Sequence, residues 1–412
     1  MDINIQKKYA DLIIRVGINL YEGQCVLINC GIQNYEFALL VVDAAYKAGA
    51  KLCEVNFFSD STRKSRVEHN KNEEFLNFVS STTTVKHNEL IANDWALIRL
   101  DNLEELETLK NSDPAKLRKI SKAEQTASTN LSKNIGGFSI AWTIFAVPGP
   151  NWAQKIIEGN ESSEDKIEML WNKLVPILRL DKDDPIKEWN EHGQRLFERS
   201  GRLSAMKIDR LKFEGPGTDL EIGMNKNCIW KGGYSTTVSG RKFIPNLPTE
   251  EVFTTPDFSR VNGKVKVTKP VKVMENIITD IWFEFKNGKV VDYNCNKKEI
   301  LDKYFSTDEG ASFLGEVALV DSASEVFKSG LIFNSILYDE NAACHIALGR
   351  GFSACIEYGS QYQTPDELKK HGCNQSLVHT DFMIGSDEIN VTAFTERNEE
   401  IIIMRKGKFE IE

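Results

Sequence analysis

A histidine and an aspartate near the C-terminus have the spacing of a metal-binding pair. They lie in the segment from Val378 to Ile384, where apolar and polar residues alternate as in a β-strand. Side chains on a strand point alternately to opposite faces, so His379 and Asp381 would share one face. An imidazole nitrogen and a carboxylate oxygen placed side by side can bind one metal ion. Two ligands do not complete a site, so partners from elsewhere in the chain are needed.

Carboxylates occur in two other segments whose pattern predicts burial. Glu250 and Glu251 are adjacent in a proline-bounded apolar region, although paired glutamates of this kind are usually exposed to solvent. Glu316 opens an apolar strand-like run, where an ionised carboxylate without a partner would cost several kcal/mol. Glu316 therefore lies either in water at the mouth of the strand or against a cation.

A second histidine lies in another apolar run. On a strand, His345 would share its face with Ala343 and Ala347, whose small side chains leave space in front of the imidazole. A metal ion or a substrate could fill that space, whereas an isolated histidine of this kind is more often a hydrogen-bonded core residue. Each of these signals is weak alone, but together they supply two histidines and several carboxylates.

The chemistry of these donors indicates which metals they would bind. Mixed nitrogen and oxygen ligation suits Zn²⁺, Co²⁺ or Mn²⁺ better than Ca²⁺ or an iron–sulfur cluster. More than four side-chain ligands suggests two ions that share a carboxylate, and such pairs, about 3.5–4 Å apart, serve hydrolysis. One ion polarises the scissile carbonyl, and both lower the pKa of a bridging water that becomes the nucleophile. The donor set therefore predicts a two-metal hydrolase.

The first half of the chain has the pattern of an α/β domain. A buried strand over Cys25–Cys30, a helix between Asn34 and Gly49 and a second strand over Leu52–Phe57 form a β-α-β unit. Such a unit implies parallel strands with a right-handed crossover. Further buried strands are predicted at Ala96–Leu100 and Phe138–Ala146. A nucleotide site is not expected in this half, because the turn after the first strand contains one glycine rather than a glycine-rich phosphate cradle.

The second half of the chain has a different sequence pattern. After about Met206, glycine-rich turns separate short alternating strands, of which Lys264–Thr268 is the most regular. Asn287 and Gly288 between two apolar segments indicate a hairpin. We therefore predict an α/β domain with a mostly parallel sheet over residues 1–205, followed by a β-rich α+β domain that carries the metal site over residues 206–412.

Composition narrows the class of protein. The 412-residue chain is 41% hydrophobic and 27% charged, and its net charge of −9 argues against nucleic acid or an anionic membrane as partner. No apolar run approaches the roughly 20 residues that span a bilayer, and the N-terminus lacks the apolar core of a signal peptide. The predicted location is the cytoplasm. The eight cysteines have no C-x-x-C spacing, so reduced and mostly buried structural thiols are expected.

Four segments together resemble the dinuclear metallo-aminopeptidases of the aminopeptidase T, S and II group, and the likeness extends over nearly the whole chain. The segments are FIPNLPTEEVFTTPD, GEVALVD, DENAACHIALGRGF and LVHTDFMIGSDE. The resemblance implies removal of N-terminal residues from short peptides, a homodimer, and two divalent ions (Zn, Co or Mn) with Glu316 as the bridge between them. The metal ligands that it implies are Glu250, Glu316, Glu340, His345, His379 and Asp381.

The glutamate next to the first implied ligand has two candidate roles. Glu251 could act as general base toward the attacking water, or it could bind the free amine of the substrate. The competing interpretation is a solvated neighbour of a ligand. Glu251 and the bridging Glu316 are therefore the candidate catalytic residues.

Phe352 departs from the pattern of the resemblance, because many relatives have tyrosine at this position. A phenol could donate a hydrogen bond to the developing oxyanion, and loss of one such donor typically costs about 10²–10³ in rate.

The leading hypothesis is a metal-dependent aminopeptidase, and the alternative is a metal-stabilised peptide-binding protein with little or no turnover. A cysteine hydrolase using Cys344 or Cys355 is disfavoured, because Cys344 and His345 would point to opposite faces of a strand.

Overall fold

The chain divides into two units, each built around its own sheets. The computed structural model describes residues 2–274, 276–362 and 364–411. One unit comprises Met1–Asn190 with Tyr234–Pro248, and the other comprises Glu191–Gly233 with Thr249–Glu412. The predicted division at residue 205 therefore falls later in the chain than the one in the structure, which lies within a long helix.

Helices alternate with strands in the first half of the chain, and strands dominate the second half. The α-helices are α1 (Ile3–Leu12), α2 (Tyr35–Lys47), α3 (Asp60–His69), α4 (Ser81–Ala92), α5 (Pro114–Ala127), α6 (Thr129–Gly136), α7 (Pro150–Ile156), α8 (Ser163–Ile177), α9 (Pro185–Ala205), α10 (Lys298–Phe305), α11 (Glu325–Ser329), α12 (Ile336–Asp339) and α13 (Pro365–Lys370). The strands are β1 (Cys25–Gly31), β2 (Leu52–Phe58), β3 (Ala96–Leu100), β4 (Trp142–Phe145), β5 (Ile208–Gly215), β6 (Thr218–Met224), β7 (Lys231–Gly232), β8 (Ser235–Thr236), β9 (Lys242–Phe243), β10 (Asn246–Leu247), β11 (Glu251–Thr254), β12 (Pro256–Lys266), β13 (Val271–Val273), β14 (Asn276–Ile278), β15 (Trp282–Lys286), β16 (Lys289–Asn294), β17 (Leu314–Val320), β18 (His345–Gly349), β19 (His379–Met383), β20 (Asn390–Thr395), β21 (Glu400–Arg405) and β22 (Lys408–Phe409).

The first unit is an α/β structure around a parallel sheet with the order β10-β4-β3-β1-β2. The β1-α2-β2 unit has the predicted form, and α2 ends before Gly49, whose φ of +96° continues the chain in the left-handed conformation that suits glycine after a helix. The predicted strand over Phe138–Ala146 is shorter in the structure. It begins only at Trp142, because Phe138 has a φ of +54° and belongs to the turn after α6.

A segment from the second half of the sequence returns to this first sheet. Strand β10 pairs in parallel with β4 and adds a fifth strand at that edge. In the same segment, Arg241 donates hydrogen bonds to the carbonyl oxygens of Ile18 and Asn19 and to Gln24 Oε1. These pairings explain why residues 234–248 belong to the first unit although the local pattern around them is that of the second.

The second unit is rich in antiparallel sheet, as predicted. One sheet has the order β19-β18-β17-β11-β7, and a longer one has the order β16-β15-β12-β6-β5-β20-β21-β22. The predicted hairpin is present between β15 and β16, where Asn287 and Gly288 both have positive φ, as a two-residue turn of type I′ requires. The apolar face of β19 packs into the core, where the rings of Phe382 and Phe283 meet edge to face with centroids 4.9 Å apart. Burial of that face fixes which way the polar residues of β19 point.

Membrane-spanning helices are not found in the part of the chain that the structure describes. None of the helices there combines the length and the hydropathy that such a span needs.

Candidate metal centre

Four neighbouring strands of one sheet bring five ionisable side chains to the same face. The order β19-β18-β17-β11 places these strands side by side. Strand β19 carries the pair His379 and Asp381, which share a face as predicted. The other three side chains come one from each neighbouring strand: Glu251 from β11, Glu316 from β17 and His345 from β18.

The register of the sheet explains how two of the carboxylates approach each other. Ala347 on β18 pairs with Glu316 on one side and with Asp381 on the other, so the three residues form a row across the sheet. Because alanine has a small side chain, the two carboxylates can lean over it toward a common space. A larger residue at position 347 would occupy that space.

The five side chains form two groups that share one residue. Ligand atoms of Glu251, Glu316 and His345 lie within 4.8 Å of one another, and so do those of Glu316, His379 and Asp381. In the first group, Glu251 Oε2 is 3.3 Å from His345 Nε2. In the second, His379 Nε2 is 3.2 Å from Glu316 Oε2 and 3.3 Å from Asp381 Oδ1. Glu316 therefore occupies the position of a carboxylate shared between two sites.

Both histidines are oriented by backbone carbonyl groups. His345 Nδ1 lies 3.2 Å from Ala343 O, and His379 Nδ1 lies 2.7 Å from Arg350 O. A carbonyl oxygen can only accept, so each Nδ1 carries a proton and donates it, and each Nε2 faces the carboxylates. Histidines that bind metals typically hold their second ring nitrogen in this way.

The cluster concentrates negative charge in a buried place. Burial, followed by the nearby Glu340, Glu316 and Asp381 carboxylates, raises the pKa of Glu251 well above its usual value. Burial opposes protonation of His379, but Asp381 and Glu316 outweigh it and raise the pKa of this imidazole to about 11. A positive charge beside these carboxylates is therefore strongly favoured.

Two orphaned oxygen atoms give the sharpest test of whether metal ions fit. Glu251 Oε2 in the first group and Asp381 Oδ1 in the second are buried; an imidazole Nε2 lies 3.3 Å from each, but neither oxygen accepts a well-aligned hydrogen bond from the described residues. A buried carboxylate oxygen without a donor is costly, and a divalent cation in each group would remove that cost. The imidazole and carboxylate donors are also those that Zn²⁺, Co²⁺ and Mn²⁺ accept. The residues present therefore fit a pair of divalent ions.

The structure places Glu250 outside the two groups of donors. Strand β11 begins at Glu251, and neighbouring residues point to opposite sides, so Glu250 lies outside both groups. Its carboxylate Oε2 is 3.4 Å from Nε2 of His192 in α9, which also contacts Thr249 O at 2.8 Å. The Glu250 amide donates to Asn341 Oδ1 at 2.6 Å. The sequence predicts Glu250 as a ligand and gives no signal for His192 or Asn341, which hold this segment from distant parts of the chain.

Glu340 lies next to the two groups but belongs to neither. It opens a short 3₁₀ turn, Glu340–Ala342, that follows α12. Burial, followed by the Asp381 and Glu316 carboxylates, raises its pKa well above the usual value. Glu340, a predicted ligand, is therefore a near neighbour of both groups.

Phe352 lies beside the second group. Its ring centroid is 5.0 Å from that of His379 and 5.7 Å from that of Phe253, which shares its strand with Glu251. The Phe352 backbone is fixed by Thr255, whose hydroxyl accepts a hydrogen bond from Phe352 N at 2.8 Å. Position 352 is thus part of the wall of the site, as its place in the sequence motif predicts.

The environments of Cys344 and Cys355 do not favour a nucleophilic role. Cys344 is buried with its Sγ 3.4 Å from Val320 O, and burial raises the pKa of this thiol to about 12. Burial also raises the pKa of Cys355. A thiol with a raised pKa is a poor nucleophile near neutral pH.

An α/β unit followed by a β-rich unit whose carboxylates and histidines fit two cations is the arrangement of a metal-dependent hydrolase. Comparison with known proteins agrees. A sequence profile described as thermophilic metalloprotease (M29) matches residues 4–409. Aminopeptidase 2 of Geobacillus stearothermophilus is 36% identical over 406 residues, which are 98% of this chain and 97% of that protein. Aminopeptidase T of Thermus aquaticus is 33% identical over 405 residues, 98% of each chain.

A solved structure has the same fold. The wild-type AmpT from Thermus thermophilus matches with a TM-score of 0.90 and 33% sequence identity over 99% of both chains. The chain therefore belongs to the M29 metalloprotease family and is a metallo-aminopeptidase. Both the predicted resemblance and the predicted class of enzyme are confirmed.

Proposed function

We propose that this protein removes N-terminal residues from short peptides with two divalent metal ions, Zn²⁺, Co²⁺ or Mn²⁺, bound in the two groups. Glu251, Glu316 and His345 would hold one ion, and Glu316, His379 and Asp381 would hold the other. When bound, such a pair polarises the scissile carbonyl and lowers the pKa of the attacking water. The observation that supports this proposal most is that Glu316 belongs to both groups, each of which contains an orphaned carboxylate oxygen.

In this proposal Glu251 is a ligand rather than the general base. Its Oε2 atom is 3.3 Å from His345 Nε2, a separation that suits two donors to one cation. Glu251 takes the ligand role predicted for Glu250 because β11 begins at Glu251 and directs its side chain to the face of the two groups. The contacts of His192 with Glu250 and with the Thr249 carbonyl hold the segment that leads into β11, and so help to position Glu251.

Glu340 is proposed as the group that binds the free amine of the substrate. It lines a cavity that also exposes His379 and Asp381, and it is not committed to either group. A carboxylate there can form a charge-assisted hydrogen bond with the substrate ammonium, which sits one carbon away from the carbonyl to be cleaved. Such a contact limits cleavage to the first residue of a peptide.

The first test compares peptides that have and lack a free amine. We expect the metal-loaded protein to release leucine from leucylglycine and to leave N-acetyl-leucylglycine intact. Glu340→Gln should keep its metal and lower kcat/KM for leucylglycine by about ten- to a hundredfold, since a charge-assisted contact is lost. Liquid chromatography of the products and elemental analysis of the protein give both readouts.

The exposed Glu284→Gln substitution on β15 is the matched control and should change neither value. Cleavage of the acetylated peptide at a similar rate would contradict the aminopeptidase proposal. Loss of metal from Glu340→Gln would instead return Glu340 to the set of ligands.

Phe352→Tyr is expected to raise kcat. The ring at this position lies against His379, so a tyrosine hydroxyl would be placed near the reacting carbonyl. One added oxyanion donor is worth up to about 10²–10³ in rate, and we expect an increase of at least about tenfold. Steady-state kinetics with leucylglycine measure the change, and Phe258→Tyr, which packs against Phe313, is the control. An unchanged kcat would mean that another group already serves the oxyanion.

The remaining predictions concern the oligomeric state, the location and the metal preference of the enzyme. The homodimer, the cytoplasmic location and the preference among Zn²⁺, Co²⁺ and Mn²⁺ stay predictions from the sequence and its resemblance. The peptide-binding alternative rests on Phe352 alone, and measurable release of leucine by the wild-type protein would exclude it.

A further inference from the structure

A small cavity adjoins the second metal group. Its volume is about 100 Å³, and His379, Asp381 and Glu340 lie on one side of it. Met383 continues the same face of β19, because it is two residues beyond Asp381. Met383 pairs with His345 of the first group, so the cavity lies alongside the candidate metal centre at the β19 edge of the sheet.

The rest of the cavity wall combines aliphatic side chains with polar ones, and the polar residues there include Lys272, Asn334, Ser335 and Thr380. Strands β13 and β14 contribute Val271 and Ile277, the segment before α12 contributes Ile332, and α12 begins with Ile336. Val271 and Met383 are buried at the base, whereas Ile277 and Ile336 are 45% and 75% exposed at the rim. Large apolar side chains exposed around a cavity beside a polar centre are typical of a ligand-binding site.

An acidic residue beside the cavity does not direct its carboxylate into it. Asp339 also borders the cavity, but its two oxygens accept hydrogen bonds from the amides of Phe333 at 2.7 Å and Ser335 at 3.0 Å. Its carboxylate is therefore directed to the backbone of its own loop. A charged side chain entering the cavity would lose hydration against the aliphatic part of its wall.

On the basis of the proposed function, we infer that this cavity binds the side chain of the N-terminal residue and selects uncharged aliphatic residues of about the size of leucine. In a substrate the amine and the first side chain are attached to the same carbon atom. If Glu340 holds the amine, the side chain must enter a space next to Glu340, and this cavity is that space. A cavity of about 100 Å³ has room for one aliphatic side chain of about the size of leucine.

The test is a panel of aminoacyl p-nitroanilides that differ only in the side chain. Wild-type protein should cleave the leucyl substrate with a kcat/KM about ten- to a hundredfold above those of the glycyl, lysyl and glutamyl substrates, as expected for burial of one aliphatic side chain. Ile336→Asp and Ile277→Asp each place a carboxylate at the rim. Each should lower the ratio of leucyl to lysyl kcat/KM by at least about tenfold.

Val291→Asp, at an exposed position on β16 outside the cavity, is the matched control and should leave the ratio unchanged. A ratio of two rates does not depend on how much of a variant is folded, so partial misfolding does not hide the result. Equal kcat/KM for all four substrates, or ratios unaffected at both rim positions, would overturn this inference and leave the proposed function intact. Failure to cleave any of the four substrates would count against the proposed function itself.

Discussion

Replacement of Glu316 by glutamine is expected to lower kcat/KM for leucylglycine by at least about a thousandfold. Glu316 belongs to both groups of donors, so its loss would weaken the binding of both proposed ions. Metal ions contribute several kcal/mol of transition-state stabilisation, and each 1.4 kcal/mol corresponds to a factor of about ten in rate. Glutamine has nearly the same size as glutamate, so the buried site keeps its packing. Kinetics and elemental analysis of the dialysed variant measure the effect.

Glu325→Gln is the matched control for this change. Glu325 forms an exposed ion pair with Lys328 on α11, and its substitution should alter neither rate nor metal content. A Glu316→Gln protein that kept two ions and a near wild-type rate would show that Glu316 is not shared between the ions.

The second large expected effect distinguishes the roles of the adjacent residues Glu250 and Glu251. Glu251→Ala should release one ion per chain and lower kcat/KM by at least about a thousandfold, because its carboxylate lies in the first group. Glu250→Ala should keep both ions. Its effect on kcat/KM should stay within about ten- to a hundredfold, the range for residues that support a ligand. Parallel metal analysis and kinetics of the two variants give the comparison.

Glu250→Ala should instead show its effect in stability. The substitution removes the carboxylate that lies 3.4 Å from the buried His192, and we expect a loss of about 1–3 kcal/mol in the free energy of unfolding. If Glu250→Ala lost metal and Glu251→Ala kept it, the proposed roles of the two glutamates would be reversed and the sequence-based ligand at position 250 restored.

The sequence predicts much of the site because the donors lie on short alternating strands. For His379 and Asp381, the spacing of two residues is enough to place both on one face, and burial of Phe382 fixes which face that is. His345 is predicted for a related reason, since the alanines around it leave room for a ligand. These inferences need only the period of a strand and the size of neighbouring side chains.

Other features depend on contacts that no local pattern contains. The choice between Glu250 and Glu251 depends on where β11 begins, and that is decided by its pairing with β17. The supporting contacts of His192 and Asn341 come from residues far away in the sequence. The return of β10 to the first sheet is likewise a long-range pairing, and for that reason residues 234–248 belong to the first unit although the predicted second domain contains them.

The most direct measurement of the central claim is a metal titration of the chelator-treated protein, with leucine release from leucylglycine followed at each addition of Co²⁺, Zn²⁺ or Mn²⁺. A centre built from two groups that share Glu316 predicts that activity vanishes on chelation and returns fully when two ions are bound per chain. Full activity in the metal-free protein, or full activity with a single bound ion, would contradict it.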